Sequence, residues 1–127
     1  MSTLNVANVT DGTTSVPTTY VVSGSAKAWV NTRPVNGTPP LTDSFNVSSI
    51  TDRGIGTYDF NITSSMDNAN FSVSITTQYT TASGTGAFFH QENRDQRTAS
   101  RFGMNHFQNG TTADPFIANG QAFGDLA

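Results

Sequence analysis

With 127 residues, 35% of them hydrophobic and 12% charged, the chain is the size of one domain with a modest core, and it is not a charge-rich disordered segment. A formal net charge of −3 with no Lys/Arg run disfavours nucleic acid and anionic membrane surfaces as partners, zero cysteines exclude disulfides and thiolate metal sites, and no window approaches the ~20 apolar residues that span a bilayer. Instead 20 Thr, 13 Ser and 12 Asn, set against three Leu and one Glu, favour strands and turns over helices, so the expected fold class is all-β.

Residues 1–20 read as an extended N-terminal arm, rich in Asn, Thr, Ser and Gly, interrupted by Pro17, and carrying scattered apolar residues. Such a segment orders along a partner, and Leu4, Val6, Val9 and Val16 are its candidate attachment contacts. No basic stretch followed by an apolar core occurs there, so no secretory leader is expected. Residues 21–127 are expected to form one β-domain. Tyr20-Val21-Val22 and then residues 26–31, with the chain's lone Trp at Trp29, read as its first strand system. Pro34, Gly37, Pro39 and Pro40 mark a loop.

The stretch 43–75 has the clearest pattern. Phe45 and Val47, then Tyr58, Phe60 and Ile62, then Phe71, Val73 and Ile75 alternate with polar residues, as strands with one buried and one wet face do. Turn compositions at 52–56, with Gly54 and Gly56, and at 66–70 separate the three runs, so a three-strand meander is expected. A Gly/Thr-rich tract at 80–86 leads to Phe88-Phe89-His90. Residues 91–101 are the most charged part of the chain and read as an exposed loop or ribbon, and residues 113–127 hold a closing strand. Small residues such as Ala26, Ala28 and Val30 imply a thin core, which an oligomer would complete.

Little in the sequence carries chemistry. His90 and Glu92 would share one face of a strand, and with His106 they are the best metal or acid–base candidates, but a zinc site needs three or four ligands. Gly54-x-Gly56 and Gly84-x-Gly86 are too short for phosphate loops and read as turns, and no Gly-x-Ser-x-Gly elbow occurs. Asp43, Asp52, Asp59 and Asp67 could in principle supply a carboxylate pair, but they read as turn and outer-face residues. Six Asn-x-Ser/Thr triplets, at Asn8, Asn36, Asn46, Asn61, Asn70 and Asn109, follow from the composition. Tyr58, Tyr79, Phe88, Phe89 and Phe107 could form an aromatic platform, with core packing the commoner role for each. No catalytic residue, metal or cofactor is expected, and the chain is not read as an enzyme.

The ordered series SAKAWVN at 25–31, DSFNVSSITD at 43–52, Gly54-x-Gly56-x-Tyr58 and Met66-x-Asn68-Ala69-Asn70-Phe71, closed by Phe123-Gly124-Asp125, resembles a module of tailed-bacteriophage virion structural and tail-fibre proteins. The resemblance covers residues 20–77 and the C-terminal end. It implies an antiparallel β-sandwich-like knob, homotrimerisation, contacts with other tail or capsid proteins, and a place on the virion surface after synthesis in the bacterial host cytoplasm. No long shaft precedes the module, which points to a small knob mounted through the arm. Residues 80–115 fall outside the module's pattern and read as an outward-facing region. There Phe88, Phe89, His90, Arg94, Arg97, Arg101 and Phe107 are the candidate host-facing surface, with a host glycan or protein as partner. The function implied first is a tail-fibre or receptor-binding knob, the second a trimeric capsid decoration (cement) protein. A carbohydrate-active enzyme comes third.

Overall fold

The computed structural model describes residues 5–34, 39–78, 88–92 and 97–127, with the backbone alone at 88–90. In chain order these form β1 (Asn8–Thr10), β2 (Ser15–Pro17), α1 (Thr18–Gly24), β3 (Ala28–Thr32), β4 (Leu41–Phe45), β5 (Val47–Gly54), β6 (Thr57–Ile62), β7 (Ser72–Gln78), β8 (Phe88–Glu92), β9 (Arg101–Gln108), β10 (Thr111–Thr112) and β11 (Ile117–Phe123). Among the described residues the chain is mostly strand with one short helix, and the strand pairings are antiparallel. Beyond a β1–β2 hairpin there is a four-stranded sheet in the order β4-β3-β11-β7 and a five-stranded sheet built on β5-β6-β9, with β8 and the short β10 also paired to β9.

The two larger sheets share one core, to which they contribute unequally. The five-stranded sheet supplies Tyr58, Phe60 and Ile62 from β6 and Phe102 and Met104 from β9, while the four-stranded sheet supplies Ala28, Val30, Ile75, Ala118 and Ala122. Large side chains of one sheet therefore meet small ones of the other. Gly120 marks the closest approach: a Cβ there would lie 2.8 Å from the Phe102 ring and 3.3 Å from that of Phe60. Phe60 and Phe102 pack with ring centroids 5.1 Å apart, and Phe71 meets Phe102 edge-on at 6.5 Å. The small residues on β3 thus have a structural explanation inside the single chain, as the complement of an aromatic face rather than as a deficit.

The expected reversal at 52–56 is present and joins β5 to β6. Gly56 (φ +70°) lies so close to the β9–β10 end of the sheet that a Cβ would sit 2.6 Å from the Ala113 carbonyl oxygen and 2.7 Å from that of His106. Its own carbonyl accepts from the His106 N–H at 2.8 Å.

Four local expectations are corrected. The three runs of 43–75 are not a meander, because β7 pairs with β11 in the four-stranded sheet while β5 and β6 belong to the other. The link between β6 and β7 crosses the core edge with Met66 and Phe71 buried, and is pinned by the Met66 N–H on the Ala99 carbonyl and the Asp67 N–H on the Asp125 carbonyl, both 2.8 Å. Phe45 does not share a buried face with Val47 but is 55% exposed. Between them Asn46 takes a left-handed conformation (φ 55°), which ends the alternation and passes the chain from one sheet to the other. Residues 20–22 are not in a strand. Pro17, with its fixed φ, opens α1, and Ser25 in an extended conformation closes it. Finally, residues 8–17 are a hairpin rather than a single extended arm.

Candidate functional site

Local hydrogen bonds build the N-terminal hairpin. Asp11 Oδ1 accepts from the N–H groups of Thr13 (2.9 Å) and Thr14 (2.7 Å), an arrangement that fixes the turn and holds the Asp11 carboxyl below its ordinary pKa. Thr18 ties the hairpin to the start of α1, its N–H donating to the Ala7 carbonyl (2.9 Å) and its hydroxyl reaching the Val6 and Ala7 carbonyls (3.0 and 3.1 Å). At the other end of α1 the Lys27 ammonium donates to the carbonyls of Val22 and Ser25 and to the Ser25 hydroxyl. A cation is favourable at a helix C-terminus, where the free carbonyls point. Lys27 immediately precedes β3, and its N–H donates to the Ala122 carbonyl at 2.8 Å, so one residue fastens the N-terminal segment to the body.

Within this segment no helical residue is buried, and Val9, Val21, Val22 and Tyr20 are respectively 53%, 50%, 57% and 72% exposed. Val9 pairs with Val16 across the hairpin, and together with Thr10, Asp11, Thr14 and Val21 they line a groove of about 340 Å³. A second hollow of about 440 Å³ is lined by Thr19, Tyr20, Ser23 and Gly24. A seven-residue helix with two adjacent valines has little intrinsic stability in water. An apolar face on such an element is the kind a partner covers. Of the expected attachment residues Val6, Val9 and Val16 are surface-exposed, and Leu4 lies outside the described residues. Tyr20, Val21 and Val22 belong to the same surface. Their adjacency to Pro17 was the signal for a helix start.

Of the expected host-facing set, Arg97, Arg101 and Phe107 are described, and each is partly buried. Arg94 and the side chains of Phe88, Phe89 and His90 lie outside the described residues. Arg97 is turned inward: it makes a two-pronged ion pair with Glu92, donates to the Phe71 carbonyl at 2.6 Å and lies over the Phe71 ring. That makes it a clamp between β8 and the link to β7. Arg101 lies 3.8 Å from Asp59, and Phe107 is half-buried.

Among the carboxylates, Asp59 is fully buried, not an outer-face residue in water, because Arg53 (2.7 Å) and Arg101 cover it. Both address Oδ2, and Oδ1 has no hydrogen-bond partner among the described residues. Asp43, Asp52 and Asp67 are exposed and lie on three different segments. His90 and His106 are register partners on β8 and β9, and His106 is buried with Nδ1 3.1 Å from the Thr77 hydroxyl. Among the described residues no group of three or more His, Cys, Asp or Glu is placed to hold a metal. No protein-family model, curated protein or solved structure matches this chain.

Proposed function

We propose that this chain is a structural protein of the exterior of a tailed-phage virion: a trimeric, sandwich-like tail-fibre or receptor-binding knob, mounted on another virion protein through its N-terminal segment. The observation that carries this reading is the segment itself. It has its own hydrogen-bonded hairpin and helix, yet leaves Val9, Tyr20, Val21 and Val22 uncovered, as a fastener does away from its partner. Among the described residues, the ion pairs of Asp59 with Arg53 and Arg101, and of Glu92 with Arg97, support a passive role. The resemblance of residues 20–77 to phage virion modules supplies the setting, with synthesis in the host cytoplasm and residence on the particle surface.

A capsid decoration protein, clamping neighbouring capsomers with the same segment, rests on the same uncovered apolar face and is the second reading. Cryo-electron microscopy of the intact particle separates the two. A few copies at the tail end are expected from the first reading. Hundreds of copies at three-fold or quasi-three-fold positions of the head would establish the second, and the absence of the chain from purified particles would overturn both.

A further inference from the structure

The four-stranded sheet turns one face to the core and the other outward, and the outward face has an ordered composition. The register aligns Phe45, Trp29, Gln121 and Ser74 in one row across all four strands, and Asp43, Asn31, Asn119 and Thr76 in the next. The intervening positions Val30, Gly120 and Ile75 face the core, so alternation places both rows on the outside. Phe45, Gln121, Ser74, Asp43 and Thr76 are exposed, and Trp29, Asn31 and Asn119 are partly so. Phe123, half-buried, lies two residues beyond Gln121 on β11, diagonal to Trp29. An aromatic row thus borders an amide, hydroxyl and carboxylate row at the spacing of one strand repeat, about 6.8 Å.

From this face we infer that the chain carries a binding site for a neutral glycan, with Trp29 and Phe45 as the stacking platform and Asn31, Asn119, Gln121 and Asp43 as the hydroxyl-reading groups. A sugar ring has an apolar face of C–H bonds and a rim of hydroxyls, and an aromatic side chain beside amides matches both. The Asn31 amide donates to Asn119 Oδ1 at 2.6 Å, which fixes both side chains and leaves the Asn31 carbonyl as acceptor and the Asn119 amide as donor. Neither row contains Lys or Arg, and Asp43 adds a negative charge, so the two rows offer no cation to a sulfated or otherwise polyanionic chain. A second protein copy fits less well. It would strip water from two Asn, a Gln, an Asp, a Ser and a Thr, each costly to bury unpaired, whereas a glycan replaces that water with hydroxyls.

As a host-attachment device the site rests on the virion reading above, but the binding itself depends on the sheet face alone. Failure of one leaves the other standing, because binding is measured on the isolated chain and location on the particle. Trp29 is the lone tryptophan, so intrinsic fluorescence reports occupancy directly. The full chain is titrated with a panel of neutral hexose and N-acetylhexosamine oligosaccharides, to about 10 mM because a shallow face binds weakly. A saturable change in Trp29 fluorescence with at least one member is expected, weakened about tenfold by Phe45→Ala. Gln121→Ala, also at an exposed position, weakens it with the fold intact by circular dichroism. No response from any member would overturn the inference, as would a response that survives both substitutions unchanged. So would sedimentation showing that Phe45→Ala turns a stable oligomer into monomers, for the face would then be a self-interface.

Discussion

Tyr58 shows how a buried polar atom can be satisfied at the edge of a core. Its ring is only 1% exposed, yet its hydroxyl donates to Asp114 Oδ1 at 2.5 Å, and the same oxygen accepts from the Gly56 N–H at 2.7 Å. One carboxylate oxygen therefore ties the β5–β6 turn to the segment before β11. Burial first, and then donation to Asp114, push the Tyr58 phenol far above its ordinary value of 10.0. The linkage has a definite sign. In the unfolded chain the phenol loses its proton near pH 10 while in the folded protein it keeps it, so this contribution is fully present below pH 10 and falls as pH rises beyond. Folding stability should drop above pH 10 with a slope approaching about 1.4 kcal/mol per pH unit from this group. Tyr58→Phe should be less stable at pH 7 by about 1 kcal/mol, for the lost hydrogen bond, and flatter between pH 10 and 11.5. Urea unfolding across that range is the check, and parallel curves for the two proteins would remove Tyr58 as the cause.

At the scale of elements the crossing between the sheets turns on Asn46. Its side chain donates to the carbonyls of Lys27 (2.9 Å) and Ser64 (3.0 Å) and accepts from the Ser64 N–H (2.7 Å), while its backbone holds φ 55°. Side chain and backbone can be separated by substitution. Asn46→Gly loses the three bonds but keeps the conformation at no steric cost, whereas Asn46→Ala loses the bonds and adds strain. Alanine should therefore be the less stable by about 1 kcal/mol, and equal denaturation midpoints would show that the corner relaxes freely. The same corner explains what could be read in advance. Alternation in 57–62 and 72–75 gave the buried faces of β6 and β7 correctly, because each side chain's face depends only on its own strand. Which sheet each strand joins depends on distant pairings and on links such as Asn46, which no local period encodes. β9 is less legible, although Phe102, Met104 and His106 alternate, because Gly103 and a histidine blur the pattern. The helix at 18–24 was hidden by its valines, which favour strands everywhere except where Pro17 presets the turn. Of the candidate sites, the exposure of Val6, Val9 and Val16 followed from their isolation among polar residues. The inward turn of Arg97 could not be read, since it depends on meeting Glu92 and Phe71 in three dimensions.

For the molecule as a whole the question is whether the N-terminal segment contributes to the stability of the body or only borrows from it. The core draws on β3, β5, β6, β7, β9, β11 and the Met66–Phe71 link, and none of its members precedes Ala28. The attachment runs through Lys27, whose ammonium would lose its partners at Val22 and Ser25 if the segment were removed. That loss is mild, because removing the segment also exposes the ammonium to water, so no buried charge is orphaned. A chain lacking residues 1–25 should therefore fold cooperatively, with stability lowered by no more than about 1 kcal/mol and with the dispersion of its core methyl resonances intact. It should also be the more soluble protein, having lost the exposed Val9, Tyr20, Val21 and Val22 surface. Calorimetric unfolding of the two chains decides the matter. A truncated chain that melts broadly, or not at all, would mean that residues 1–25 close the body rather than fasten it to a partner, and the attachment reading would lose its carrying observation.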